Sequence, residues 1–108
     1  DWRFLNHEGY ILAEQIPGTI PLYEYKNDRT LDFYETTISN YNIINPLYEK
    51  TMILGYVYKN MTESTVPFYE YYHAGNVDHL TTMNPIIATY DGWVRLNPLI
   101  TGYVYPNG

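Results

Sequence analysis

The chain has 108 residues, a net charge of −6 at neutral pH, 14 tyrosines and no cysteine. This length fits one domain, and the acidic charge argues against nucleic-acid binding, which requires a basic face that displaces counterions. The lack of cysteine excludes disulfides and thiolate zinc sites. No apolar run approaches the roughly 20 residues that cross a bilayer, so we expect no membrane insertion.

Two stretches of the chain share one pattern at a spacing of 46 residues. Residues 20–37 read IPLYEYKNDRTLDFYETT, and residues 66–82 read VPFYEYYHAGNVDHLTT. A second phrase, which begins Gly-Tyr, starts at Gly9, Gly55 and Gly102. Internal repeats of this kind determine the architecture of a chain. The spacing predicts a single domain that contains the back half of a repeat over residues 1–17, a first full repeat over 18–63 and a second over 64–108.

The first predicted element is a strand over residues 9–12, where the Gly-Tyr phrase first occurs. An uncovered strand edge leaves backbone donors and acceptors without partners. We therefore expect the open side of this strand to be covered, either by residues 103–106 closing a ring or by a neighbouring chain. That docking should bury Trp2 and Phe4, because two large aromatics near a terminus would otherwise form an exposed patch.

Each full repeat is predicted to open with a β-hairpin. The segments concerned are rich in β-branched and aromatic residues, and polar turn residues separate them. The predicted strands cover residues 20–26 and 31–37 in the first repeat and residues 66–72 and 77–82 in the second. Strand alternation places Leu22 on one face and Tyr25 on the other.

A short helical turn is predicted after each hairpin. In the second repeat, Asn84 before Pro85 is a typical helix start, and Gly92 follows its end. Ser39 is the predicted cap of the matching turn in the first repeat. Strands over residues 92–96 and 100–105 complete a mainly β fold of tandem four-stranded units. Trefoil-like lobes, propeller blades and a small sandwich all fit this pattern.

The candidate ligand-binding residues are aromatic rings able to stack on sugars, together with nearby Asp, Asn and His side chains able to bind hydroxyl groups. Trp93 is the strongest single candidate because it begins a strand beside a loop. The alternative is structural, since tyrosine also suits a half-buried sheet surface. The predicted set is Tyr23, Tyr25, Asp32, Tyr69, Tyr71, Asn76, Asp78, His79, Asp91 and Trp93.

Catalytic and metal-binding signals are weak. Asp78 and His79 point to opposite faces of a strand and cannot chelate together without a bulge. Glu24 and Glu70 lie on the apolar faces of their strands, where a carboxylate must be paired or at the wet end. None of the common hydrolase motifs occurs. We predict a non-enzyme with no catalytic residue, metal ion or cofactor.

The two phrases together resemble a repeat of the form PLYRYYN…GDHFYTT…GYVYEG…GYVY, which characterises a domain of unknown function in secreted bacterial, fungal and animal proteins. The resemblance covers the chain from Gly9 onward and implies an extracellular setting without an established activity. Two departures stand out: Phe33 replaces the histidine of the first unit, and Glu24 and Glu70 replace the usual arginine.

Two functions from different classes fit these features. The first is a secreted, non-catalytic, lectin-like module that binds a glycan or another cell-surface ligand. The second is a self-assembling structural or adhesive protein, which forms a homo-oligomer or filament. The sequence Asn60-Met61-Thr62 is a glycosylation sequon, so we predict a glycan on Asn60. The first residue, Asp1, fits either a mature chain after signal-peptide removal or a trimmed one.

Overall fold

The computed structural model describes residues 9–83, 92–96 and 100–106, together with the backbone of residues 2–4. The described part is mainly β, which confirms the predicted class. Its elements are β1 (Trp2–Phe4), β2 (Tyr10–Leu12), β3 (Thr19–Asn27), β4 (Asp32–Thr36), α1 (Tyr41–Ile44), β5 (Tyr48–Tyr58), β6 (Val66–His73), β7 (Asp78–Thr82), β8 (Trp93–Arg95) and β9 (Gly102–Val104).

Two hairpins form where the sequence predicts them, with strand ends displaced by at most one residue. In the β3–β4 hairpin Tyr23 lies opposite Thr36, and in the β6–β7 hairpin Tyr69 lies opposite Thr82. The first turn is shaped by the Asn27 side chain, whose Oδ1 accepts hydrogen bonds from the backbone N–H groups of residues 29 and 30. Such an Asx-type turn is what makes asparagine common at these positions.

The sheet is antiparallel and nearly closed. Its strand order is β1-β2-β5-β9-β6-β7, with β3 paired to β5 and β4, and β8 paired to β6. The ends of β2, β5 and β9 meet: Leu12 lies opposite Tyr56, Tyr58 opposite Tyr103, and Tyr10 opposite Tyr105.

The predicted strand over residues 9–12 is confirmed by β2. Its open side is covered within the chain, because the Tyr10 N–H donates to the Tyr105 carbonyl at 2.8 Å and the Tyr105 N–H donates back at 3.0 Å. Of the two alternatives, ring closure by residues 103–106 is therefore the one observed. The predicted burial of Trp2 and Phe4 lies outside the described side chains.

An apolar core cluster fills the centre of this ring. It takes one buried residue from each of five strands, namely Ile11, Leu22, Val57, Phe68 and Val104. Close packing around this cluster explains why the Gly-Tyr phrase begins with glycine. A Cβ on Gly55 would lie 2.6 Å from the Leu12 carbonyl oxygen, and a Cβ on Gly102 would lie 2.5 Å from Val57 Cγ2.

The first repeat departs from the predicted four-strand pattern. Its third and fourth strands are one 11-residue strand, β5, which pairs with β3 from Tyr48 to Tyr58. The register shifts twice along this pair, between Leu22 and Tyr23 and between Glu24 and Tyr25. Such bulges increase local twist and bend the bulged strand. With these two irregularities, β5 continues over the length that two shorter strands were predicted to cover.

The predicted helical turn of the first repeat is α1, but its predicted cap is wrong. Asn40, not Ser39, occupies the N-cap position, and its side chain makes no capping hydrogen bond. The turn is instead anchored by Tyr25, whose hydroxyl donates to the Ile38 carbonyl at 2.6 Å and accepts from the Tyr41 N–H at 3.4 Å. The matching turn predicted after Asn84 lies outside the described residues.

No helix in the described part of the chain has the length and apolar character needed to cross a membrane.

Candidate functional site

A second core cluster is built from tyrosine rings and lies where the two hairpins meet. Tyr25, Tyr34 and Tyr48 are buried in it, with Tyr23 and Tyr41 packed against them. The hairpins are also joined by polar contacts, since the Thr81 hydroxyl of β7 donates to the Glu35 carbonyl of β4 at 2.6 Å.

Asp32 is the polar centre of this junction. The residue is only 4% exposed, and its carboxylate accepts hydrogen bonds from the His79 backbone N–H at 2.9 Å and the Tyr48 hydroxyl at 2.6 Å. It also contacts Nδ1 of the His79 ring. Asp32 lies at the start of β4 and His79 near the start of β7, so one carboxylate holds both hairpins together.

The His79 ring is enclosed by aromatic side chains. It stacks on Tyr34 with centroids 4.0 Å apart, and it lies 4.7 Å from the Tyr72 ring and 5.6 Å from the Tyr48 ring. Every hydrogen bond that the described residues make to this ring goes through Nδ1. Nε2 takes part in none of these hydrogen bonds, so it is the ring nitrogen that can exchange a hydrogen bond with a ligand.

Glu70 forms a second buried polar network beside the first. It is 8% exposed, and its carboxylate accepts hydrogen bonds from the hydroxyls of Tyr34, Thr36 at 2.8 Å and Thr101 at 2.5 Å. The prediction that a carboxylate on this face must be paired is confirmed. Glu24, its counterpart 46 residues earlier, is half-buried and bonds to the Thr51 hydroxyl at 2.6 Å.

Burial has shifted the ionisation of these tyrosines. It raises the pKa of Tyr34 well above the ordinary value of 10.0, and the charge of Glu70 adds to this shift. Burial also raises the pKa of Tyr48, with the hydrogen bond to Asp32 as the next cause. At the closed end of the sheet, burial and then the Tyr58 hydroxyl raise the pKa of Tyr105 to about 12.

We expect the protein to unfold cooperatively in alkali. An unfolded tyrosine ionises near pH 10.0, whereas folded Tyr34 and Tyr48 stay neutral there. The unfolded state therefore binds fewer protons above that pH, and stability falls as the pH rises. Phenolate absorbance and circular dichroism, recorded together, should show a group of tyrosines that ionise only as the fold is lost. A smooth titration of all 14 tyrosines near pH 10 with the fold intact would contradict this.

A cleft opens beside this junction. Its volume is about 420 Å³, and its walls include the rings of Tyr41, Tyr48, Tyr72 and His79 and the amides of Asn27 and Asn45. We call it the tyrosine cleft. A second hollow of about 380 Å³ shares His79 as a wall and is lined by three carboxylates, those of Glu24, Glu35 and Asp78. We call it the acidic hollow.

Asp78 lies at the exposed start of β7, at the edge of the acidic hollow. Partial burial of its carboxyl group raises its pKa, and the hydrogen bond and negative charge of Asp32 add to this shift. The two aspartates, which are equivalent in the sequence pattern, are therefore neighbours with different environments. Asp32 is enclosed and accepts several hydrogen bonds, whereas Asp78 faces the hollow.

Four predicted tyrosines do not form a ligand platform. Tyr25 is 0% and Tyr71 1% exposed, so neither ring offers a face for stacking, and both are corrected to core residues. Tyr23 and Tyr69 are half-buried, and each ring carries a cation: Lys50 Nζ lies 4.3 Å from the Tyr23 centroid and the Arg95 guanidinium lies 4.6 Å from that of Tyr69.

Trp93 and Asn76 are not among the walls of the tyrosine cleft. Trp93 packs edge-on against His73 with centroids 5.2 Å apart, and the His73 ring accepts a hydrogen bond from the Asn76 N–H at 3.1 Å. Trp93 is thus a neighbour of the β6–β7 turn. Asp91 lies outside the described residues.

The cleft residues missed from the sequence were Tyr41, Tyr48, Tyr72, Asn27 and Asn45. Tyr72 follows the repeated Tyr71 and therefore points to the opposite face, and the first repeat has lysine at the equivalent position. The one available signal was this departure from the repeat. Within residues 9–83, 92–96 and 100–106, no group of three or more His, Asp or Glu side chains is placed to hold a metal ion.

Comparison of the chain with protein-family models, curated proteins and solved structures found no match in any of the three. The family resemblance seen in the sequence therefore stays a prediction, and any function must be argued from the geometry of the cleft.

Proposed function

We propose that the chain is a non-catalytic recognition module that binds carbohydrate in the tyrosine cleft. The observation that carries this proposal is the meeting of aromatic rings and asparagine amides in one hollow of about 420 Å³. Aromatic faces pack against the apolar faces of sugar rings, while the Asn45 amide and an imidazole nitrogen exchange hydrogen bonds with hydroxyl groups. The volume lies in the range of small-ligand pockets, roughly 300–1,000 Å³.

His79 serves in this proposal as a fixed binding group. Its side chain is 7% exposed, and the contact with Asp32 fixes the ring orientation. Packing between Tyr34 and Tyr72 restrains it further. A rigid side chain of this kind loses little conformational freedom when a ligand hydroxyl binds, which favours affinity. Rigid aromatic rings contribute contact area at a similarly low entropic cost.

The proposal includes an internal repeat of 46 residues and an extracellular location. The repeat is supported by the matching registers of the two hairpins, where Tyr23 faces Thr36 and Tyr69 faces Thr82. Residues 1–17, 18–63 and 64–108 are its proposed units. The extracellular location rests on the family resemblance and on the sequon at Asn60, which is exposed in the connection between β5 and β6.

Self-assembly is the second candidate. Exposed apolar side chains of α1 and the following loop, Ile43, Ile44 and Leu47, support it, since apolar patches mark interaction sites. The edge of the strand over residues 9–12, for which a neighbouring chain was one predicted cover, is instead covered by Tyr105 within the chain. Light scattering at high protein concentration tests this candidate, and a compact monomer would argue against it.

We expect the substitution Tyr72→Ala to weaken carbohydrate binding about fivefold or more, because truncating a tyrosine that anchors a ligand typically costs more than about 1 kcal/mol. Ligands from a glycan array would be measured by calorimetry. Tyr23→Ala is the matched control, since that half-buried ring packs against Lys50 and lies outside the cleft walls. An array without any binder, or a Tyr72→Ala variant with unchanged affinity, would contradict the proposal.

A further inference from the structure

The tyrosine cleft and the acidic hollow are neighbours with different chemistry. They share the His79 side chain as a wall. One offers aromatic faces and amides, and the other offers the carboxylates of Glu24, Glu35 and Asp78 beside the apolar side chains of Leu31 and Phe33. A ligand that spans His79 would meet a stacking surface at one end and negative charge at the other.

Three carboxylates line the acidic hollow, while one ammonium group, Lys26 Nζ, lies 5.6 Å from the ring centroid of the wall residue Phe33. Among the described residues that line them, none is Lys or Arg. The Asp32 carboxylate accepts a hydrogen bond from the Tyr48 hydroxyl at 2.6 Å and contacts the His79 ring. Both of these side chains line the tyrosine cleft. Buried charges are screened by salt much less than exposed ones, so this carboxylate contributes to the potential inside the cleft.

Aromatic faces favour the same sign of ligand. A cation near the face of a tyrosine ring is attracted by about 0.5–2 kcal/mol, with the larger values in desolvated sites. The protein already uses this interaction for Lys50 on Tyr23, for Arg95 on Tyr69 and for Lys26 on Phe33. Tyr41 and Tyr72 in the cleft walls have no such cation among the contacts of the described residues.

We propose that the site selects a cationic amino sugar over its neutral and acidic counterparts. This inference rests on the proposed carbohydrate function and names its ligand class. The sugar ring would lie against Tyr72 and Tyr41, with a protonated amine directed past His79 toward Asp78. N-acetylation would remove the charge while adding bulk, and a uronic acid would bring a carboxylate toward Asp32 and Asp78.

Asp78 lies beside the buried Asp32 carboxylate. Burial and then that carboxylate raise the pKa of Asp78, while His79 and His73 partly offset the shift. An ammonium group in the acidic hollow would offset that repulsion. Electrostatic attraction would also speed the encounter of a cation with a chain of net charge −6.

The test is calorimetry of the full chain with three tetrasaccharides: of glucosamine, of N-acetylglucosamine and of glucose, at a pH where the free amine is protonated. The glucosamine tetramer should bind at least about tenfold tighter than either other ligand, and its affinity should fall as salt is added. Asp78→Asn should remove most of this preference. Glu63→Gln removes one negative charge from the connection that precedes β6, and it should leave the preference for the glucosamine tetramer intact.

The outcomes separate this inference from the function on which it rests. Equal or tighter binding of the neutral tetramers would overturn the charge preference while supporting carbohydrate recognition. Equal effects of Asp78→Asn and Glu63→Gln would show attraction to the whole acidic surface and would also overturn it. If none of the three ligands binds and the array is silent, the proposed function itself fails.

Discussion

Replacing Glu70 by alanine should lower the free energy of unfolding by about 3 kcal/mol or more, because each buried donor left without an acceptor costs about 1–3 kcal/mol. The carboxylate accepts hydrogen bonds from Tyr34, Thr36 and Thr101 at 8% exposure. Its removal leaves buried hydroxyl donors without acceptors and opens a cavity. Total stability of a domain is about 5–15 kcal/mol, so a large part of it would be lost. Urea denaturation followed by circular dichroism measures the change.

Glu24→Ala is the matched control, since Glu24 stands 46 residues earlier in the same sequence pattern. Its carboxylate bonds to Thr51 in a partly exposed setting, so we expect a loss of about 1 kcal/mol or less. Glu70→Gln keeps acceptor capacity and should lie between the two. Similar losses for Glu70→Ala and Glu24→Ala would mean that the buried network is not what distinguishes the two positions.

The hairpins could be predicted because the signals that form them are local. Alternation, β-branched residues and the turn chemistry of Asn27 act within a few residues. The strand over residues 9–12 was also predictable, because the repeated Gly-Tyr phrase indicates both the strand and the need for a partner. Its glycines are required by close backbone contacts, such as that between Gly55 and Leu12.

The cleft could not be predicted because its key contacts join residues far apart in the chain. Asp32 meets His79 and Glu70 meets Tyr34 only when the two hairpins pack together. Strand parity describes one strand at a time, so it gave no indication of Asp32, and it assigned Asp78 and His79 to opposite faces although both line the acidic hollow. Strand parity also did not indicate which face of a strand is buried. In β3 both faces are buried, one at Leu22 and the other at Tyr25.

The repeated sequence pattern predicts equivalent roles for paired positions, but the fold gives the paired side chains different environments. The paired positions Glu24 and Glu70, and Asp32 and Asp78, have the same residue type but different burial and partners. The sequence pattern predicts which strands should be alike, whereas the junction between the two hairpins has no symmetry-related copy among the described residues. The side chains at that junction are therefore the ones whose roles the sequence could not distinguish.

The two aspartates should respond to substitution with opposite signs. Asp32→Ala should lower the free energy of unfolding by about 3 kcal/mol or more, because it leaves the buried Tyr48 hydroxyl and two His79 nitrogen groups without their acceptor.

Asp78→Asn should instead stabilise the fold at neutral pH. A carboxyl whose folded pKa is raised above 3.8 makes the folded state less stable as the pH rises through the interval between the unfolded and folded values. Urea denaturation from pH 3.5 to about 7 should therefore show no advantage of Asp78→Asn at the acidic end and a growing one toward neutrality. A loss of stability on Asp78→Asn comparable with that of Asp32→Ala would show that both aspartates hold the hairpins together, and the assignment of that role to Asp32 rather than Asp78 would fail.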